Sequence, residues 1–333
     1  MVELAAASGT GARAGTTALR VFENPLNANV LTAHASGPRR LATLHESMGW
    51  TAHTTLRAAV KRLIHLGALE SIEVGDRKAC ENRLTAMGED LVFLLATLEE
   101  WLENAPGGPI PFDGEGAKGA IKALSGGWTS AIIRELATKP RSLNELDGLI
   151  PDVSYPTLER RVAQMRAFDQ VASIETGGRS KSYRVTDWLR RSIAPLCAAA
   201  RCEHRHIKEI APPITEVEVE AAFLLAVPIA PQLGDLHGSC ALAVHGSAAA
   251  PSAGHRALAG VTVEVQHGEA ISCSTRVARE PSTWVLGAGA DWLDAVIDGK
   301  PGVLRVGGAR PELAERLWTA LHLALFEDRK GHR

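Results

Sequence analysis

Residues 72–77 read IEVGDR, and residues 174–179 read IETGGR. The two stretches differ at two positions and lie 102 residues apart. Sliding the chain by that interval tests whether one unit occurs twice. Val30-Leu31 falls on Ile132-Ile133, Pro38-Arg39 on Pro140-Arg141, Leu41 on Leu143 and Leu44 on Leu146. Farther on, Thr55-Leu56 falls on Thr157-Leu158, Val60 on Val162, Leu63 on Met165 and Leu66 on Phe168. Apolar positions keep their character over about fifty residues without a gap. Chance does not preserve identity and phase over such a length, so the chain carries a duplicated unit. The register slips by one only beyond the repeat hexamers, where Leu84-Thr85 meets Val185-Thr186.

Within one copy, LNANVLTAHA has helical spacing and stops at the breaker cluster Ser36-Gly37-Pro38. RRLATLHESMG is a short second helix ending at Gly49. Thr51 is placed to cap a third helix, Ala52 to Leu66, closed by Gly67. On it Leu56, Val60, Leu63 and Ile64 form an apolar stripe, and residues 52–65 contain no acid. LESIEV and ACENRL read as the two arms of a hairpin around GDRK, and LTAMGEDLVFLLATLEEWL as a long closing helix. The second copy repeats the order with WTSAIIRELATKP, SLNELDGLI, YPTLERRVAQMRAF (with Ser154 as its cap) and VASIETGGRSKSYRVT.

Three helices, a hairpin and a helix are the element order of a winged helix-turn-helix. There the third helix offers its polar face to the major groove and the hairpin tip reaches flanking phosphates. The pattern assigns DNA contacts to Arg39, Thr51, His53, Thr54, Arg57, Lys61, Arg62, Arg77 and Lys78 in the first copy. In the second it assigns them to Arg141, Ser154, Tyr155, Thr157, Arg160, Arg161, Gln164, Arg179 and Lys181. Glu159 is an acid on the second reading face, able to repel phosphate or to accept from a cytosine amino group. Asp76 becomes Gly178, so the second wing is expected to hold phosphates more firmly.

The second copy resembles the HxlR type of bacterial regulator, whose pattern is G-G-K-W-T, R-E-L, T-L-x-x-R-L and Y-x-L-T. Here these read GGWTSAIIREL (126–136), TLERRV (157–162) and YRVT (183–186), without the lysine and with Val twice in place of Leu. The resemblance covers roughly residues 115–206 and implies a cytoplasmic DNA-binding transcription factor, a homodimer by family habit, with double-stranded DNA as partner.

Beyond IAPPITE at 210–216 the texture changes. AAFLLAVPI and GSCALAVHG read as buried strands, VTVEVQHGEAISCST as a hairpin, and the two stretches STWVLGAGADWLDAVIDGK and GVLRVGGARPELAERLWTALHLALF as strand–helix pairs. Roughly residues 255–325 resemble the sterol carrier protein fold, on the hairpin around HGEA, on DWLDAVIDGK (291–300) and on LRVGGARPELAERLWTAL. That family holds apolar molecules in a tunnel between helices and sheet. The residues expected to line it are Phe223, Leu225, Val244, Val263, Trp284, Trp292, Val296, Trp318 and Leu321.

The fold class expected is multidomain α+β. A tail at 1–17 and a winged unit at 18–104 precede a linker at 105–116; a second winged unit at 117–209 and a sterol-carrier-like segment at 215–333 follow. Net charge is −2 over residues 1–110, +4 over 111–210 and −4 over 211–333, so a DNA partner rests on local patches and not on a basic chain. Five scattered cysteines suit free thiols in a reducing compartment, and no apolar run reaches the ~18 residues of a membrane helix. CAAARCEHRH (197–206) has metal-ligand residue types, but Cys197 and His204 do not share the face of Cys202 and His206. No metal, cofactor or catalytic group is expected. The sequence therefore reads as a ligand-responsive transcriptional regulator, which family habit places beside antibiotic production or resistance. A metabolite-sequestering self-resistance protein and a tandem winged-helix DNA-repair glycosylase are the alternatives.

Overall fold

The computed structural model describes residues 14–49, 51–74, 79–126, 129–175, 181–209, 211–244, 259–275, 277 and 281–326. The chain begins with helices α1 (Thr16–Val21), α2 (Pro25–Ala35), α3 (Leu41–Ser47) and α4 (His53–Leu66). Strands β1 (Leu69–Val74) and β2 (Ala79–Leu84) and the long α5 (Ala86–Glu103) follow. Next come α6 (Glu115–Leu124), α7 (Thr129–Thr138), the short β3 (Arg141–Ser142), α8 (Leu143–Leu149) and α9 (Tyr155–Ala167). After β4 (Val171–Glu175) and β5 (Lys181–Val185), α10 (Asp187–Arg191) leads into α11 (Ile193–His206). The remainder is α12 (Glu216–Ala226), β6 (Gly238–Val244), β7 (Ala259–Gln266), β8 (Glu269–Ser274), β9 (Thr283–Gly287), α13 (Gly289–Asp298), β10 (Arg305–Gly308) and α14 (Pro311–Phe326). Among the described residues this is a mixed α+β fold with sheets of two, three and five strands.

The repeat is present in the hydrogen bonds as well as in the letters. Arg39 Nε donates to the Ala33 carbonyl at the end of α2, and Arg141 Nε donates to the Glu135 carbonyl at the end of α7. Both pairs are related by the same 102 residues. Thr85 donates to the Gly67 carbonyl and caps α5 at Gly88 N–H; Thr186 donates to the Asp169 carbonyl and caps α10 at Leu189 N–H. The turn after the third helix is left-handed in both copies, with φ 88° at Gly67 and φ 51° at Asp169. Aspartate is one of the few side chains that accept that conformation. In each copy the helix before this turn buries one stripe, Leu56, Ala59, Val60 and Leu63 in α4 and Leu158, Val162 and Met165 in α9.

The five-stranded sheet has the order β10-β9-β6-β7-β8, with β6 and β9 parallel and the other pairs antiparallel. Its β7–β8 hairpin turns at His267 and Gly268, both at positive φ. AAFLLAV is not a strand. It lies in α12, which starts at a capping box between Thr215 and Glu218 and is buried on nearly every side, so its apolar run carries no period that distinguishes helix from strand. Two further helices were not expected: α1 begins inside the stretch read as a tail, and α6 begins inside the stretch read as a linker. Leu313, Leu317, Leu321 and Leu325 of α14 are all buried, as their spacing requires.

Helix α11 is the spine. It packs on α5, α1 and α13 and touches α12 and α14, so the apolar core runs without a break from the first copy to the five-stranded sheet. Trp101 on α5 stacks on Trp188 on α10 with ring centroids 4.3 Å apart and planes 7° from parallel. Each indole N–H donates to the other residue's carbonyl, at 2.9 and 2.7 Å. Such a stacked pair contributes about 1 kcal/mol beyond the area it buries.

Glu203 of α11 reaches the start of α1, where its carboxylate accepts Gly15 N–H at 2.7 Å and Ala18 N–H at 2.9 Å. Burial pushes this carboxyl above its ordinary value of 4.5, against the pull of those N–H donors. The folded chain therefore binds the proton more tightly than the unfolded chain, and stability falls as pH rises through the raised value. Relative to a Glu203→Gln variant, the wild type should gain stability in urea melts as pH falls through the raised value towards 4.5. A difference independent of pH would show that the carboxyl does not titrate as its burial requires.

Candidate nucleic-acid interface and ligand cavity

The outward face of α4 carries His53, Thr54, Arg57, Lys61 and Arg62, all exposed. His53, Arg57 and Lys61 follow one another at intervals of four and so share a ridge. The ring of His45 on α3 meets His53 edge to face, 5.3 Å between centroids, which extends that ridge across the turn between the helices. His45 was not singled out from the sequence because its ring is brought there by the α3–α4 turn and not by spacing. Thr51 is not on this face. It is buried, its hydroxyl has no partner among the described residues, and Ala52 takes the N-cap position without a side-chain bond.

The corresponding face of α9 is less basic. Tyr155 and Arg160 are exposed, and so is Glu159. Ser154 occupies the N-cap position, but its hydroxyl donates to Thr157 Oγ1 at 3.0 Å and accepts no N–H of the helix backbone. Thr157 is half-buried. Arg161 and Gln164 turn to each other, Nη1 to Oε1 at 3.0 Å, and the Arg161 guanidinium lies over Gly126, where a Cβ would come 2.2 Å from Nη1. Burial, with Arg160 beside it, lowers the pKa of Arg161. Arg161 and Gln164 are thus bonded to each other along α9, and Gly126 of the GGWT motif leaves room for the Arg161 guanidinium.

Arg39 and Arg141 also point inward, since both cap the carbonyls of the helix before them; Arg141 pairs in addition with Glu135 at 3.0 Å. Lys181 is exposed at the start of β5, opposite Glu175. Arg77, Lys78 and Arg179 lie outside the described residues, as does the Asp76 and Gly178 comparison. An exposed base that spacing did not flag is Arg166, whose guanidinium sits 5.7 Å from the centroid of the Tyr183 ring.

The apolar cavity lies elsewhere than expected. It has a volume of about 80 Å³ and is walled by helices: Ile193, Leu196, Cys197 and Ala200 from α11, Val219, Ala222 and Phe223 from α12, Trp292 and Val296 from α13, and Leu321 and Leu325 from α14. Phe223, Trp292, Val296 and Leu321 were expected on the wall and stand there. Phe223 meets the Trp292 ring edge to face at 4.8 Å, and the Trp292 indole donates to the Ala243 carbonyl at 2.9 Å. Leu225, Val244 and Val263 do not line the cavity; they are buried in the packing of α12 and the sheet. Nor do Trp284, which covers Gly307 on the neighbouring strand, or Trp318, whose indole nitrogen is buried without a partner among the described residues. The α11 wall was missed because IAPLCAAA reads as ordinary core.

Glu218 is the one acid on the wall. Its carboxylate accepts Ala14 N–H at 2.8 Å and Thr215 N–H at 2.7 Å. At its other end α11 carries a charged network. Arg201 sits 2.7 Å from Asp298 and 3.9 Å from Asp90, Arg205 2.6 Å from Asp294, and His206 2.9 Å from Asp90. These contacts join α11 to α5 on one side and α13 on the other. Burial pushes the thiols of Cys202, Cys240 and Cys273 up to about 12, so none of the three is a ready nucleophile. Among the described residues no group of three or more His, Cys, Asp and Glu is placed to hold a metal, and no helix is long and apolar enough to cross a membrane.

No known protein-family model matches the chain, and no curated protein does either.

Leu321→Ala removes part of the cavity wall and should cost about 2–5 kcal/mol in chemical denaturation. The enlarged cavity should then take up a small aromatic such as benzene, seen as a rise in Tm that the wild type does not show; equal rises in both would place the binding elsewhere.

Proposed function

We propose that the chain is a cytoplasmic, non-catalytic transcriptional regulator: two winged helix-turn-helix units, the second of the HxlR type, and a sterol-carrier-like segment, binding double-stranded DNA under the control of an apolar small molecule. The observation that carries this reading is that α11 serves three purposes at once. It follows the hairpin of the second unit, it packs along α5 of the first, and it forms a wall of the cavity.

The size of the cavity supplies the mechanism. A void of about 150 Å³ holds benzene, and this one is about 80 Å³. The pocket is partly open, and a larger ligand is seated fully within it when α11 moves away from α12, α13 and α14. That movement acts on the Arg201, Arg205 and His206 contacts, and through them on α5 and the placement of the first unit. The ligand thereby favours one arrangement of the two units over another by its own preference for the open cavity. Among the described residues the wall has no basic side chain and one carboxylate, which favours neutral or cationic apolar molecules over fatty acids. A storage protein for such metabolites has less support, because a cavity this small holds little without opening.

On a DNA fragment recovered by genomic selection with the purified protein, Arg57→Ala with Lys61→Ala should weaken binding at least tenfold. The slope of log affinity against log salt should also shrink by about 2, the value for two lost phosphate contacts. Arg141→Ala should instead lower Tm and leave the salt slope unchanged. If the α4 double variant binds as the wild type does, α4 is not the reading helix.

A further inference from the structure

The contacts of α5 with α10 and α11 fix the direction in which they run. Trp101, near the end of α5, meets Trp188, just before α11 begins. Asp90, near the start of α5, meets Arg201 and His206, near the end of α11. The helices are antiparallel. α5 is equivalent to α10 and α11 taken together, for each follows the hairpin of its own copy from a threonine cap, Thr85 on α5 and Thr186 on α10. Equivalent elements packed antiparallel on each other are what a two-fold axis produces; a simple translation along a tandem chain does not.

An approximate two-fold axis makes a further demand, that residues paired across it have images of matching character; the packing around the axis is not fully symmetric, since α1 lies on α11 while α6 makes no comparable contact with α5. With Thr85 on Thr186, Asp90 corresponds to Arg191 and Glu100 to Arg201. The image of the Asp90–Arg201 pair is therefore Glu100 with Arg191, again an acid on α5 and a base on the later helices. The image of the Trp101–Trp188 pair is Met87 with Cys202, and both of these are buried. The two outer faces, by contrast, have diverged: α4 keeps a ridge of free bases, while α9 presents Glu159 and holds Arg161 inside.

We infer that the chain is a dimer made within one polypeptide, and that its target is duplex DNA carrying two half-sites in inverted orientation and of unequal sequence, one chain to each site. The inference rests on the DNA-binding reading above and adds the symmetry of the target.

Selection from random duplex DNA with the full-length chain tests both, with the stoichiometry of the selected complex measured by analytical ultracentrifugation. The expected result is a pair of related but unequal half-sites, inverted, with one chain bound. Arg57→Ala should relax the sequence at one half-site and Arg160→Ala at the other. Enrichment of direct repeats, or two chains on each duplex, overturns the inference while leaving DNA binding intact. No enrichment of any sequence removes the DNA-binding reading and the inference together.

Discussion

Arg201 has 5 % of its side chain exposed and sits between Asp298 of α13 and Asp90 of α5, with its guanidinium 5.3 Å from the centroid of the Phe93 ring. A cation taken this far from water is costly unless its partners are held in place. Here the partners come from two segments separated in sequence by more than two hundred residues, so the charge can be accommodated only when both have docked on α11. The apolar faces of α5, α11 and α13 would bury surface in several registers. The fixed charge admits one, which is the use of buried ion pairs that is best attested. Glu203, two residues on, does the same for α1 through the N–H groups of Gly15 and Ala18.

The cavity and this network share one rigid rod. Ile193, Leu196, Cys197 and Ala200 face the cavity from the first half of α11, and Arg201, Arg205 and His206 make the ionic contacts from the second. A helix does not bend readily between its halves, so displacement at one end is felt at the other. The aliphatic wall can open at little electrostatic cost, while the charged end resists, having discrete partners and no intermediate position in which its hydrogen bonds are kept.

The duplication was legible in the sequence because its residues are those that local geometry demands: the apolar stripes of α4 and α9, the threonines that cap the closing helices, and the turn residues Gly67 and Asp169. The direction of a guanidinium was not. Arg39, Arg141 and Arg161 have the composition and spacing of DNA contacts, yet Arg39 and Arg141 donate to carbonyls of the preceding helix and Arg161 turns one donor to Gln164 on its own helix, choices that spacing does not reveal. The cavity was half legible. Its walls from α12, α13 and α14 lie within the segment whose texture marks it out, while the α11 wall is contributed by the preceding repeat. AAFLLAV misled for a related reason: burial on all sides erases the period by which helix and strand are told apart.

The paired hydrogen bonds Arg39 to Ala33 and Arg141 to Glu135 show that the two copies have kept the same internal bracing. Their outward faces have not kept the same residues. In an assembly of two identical chains every substitution appears on both sides at once, so neither half can change without the other. A polypeptide that contains both halves is free of that restriction. One face can drift, specialise or be lost while its partner keeps the original task, and the common bracing lets it do so without unfolding.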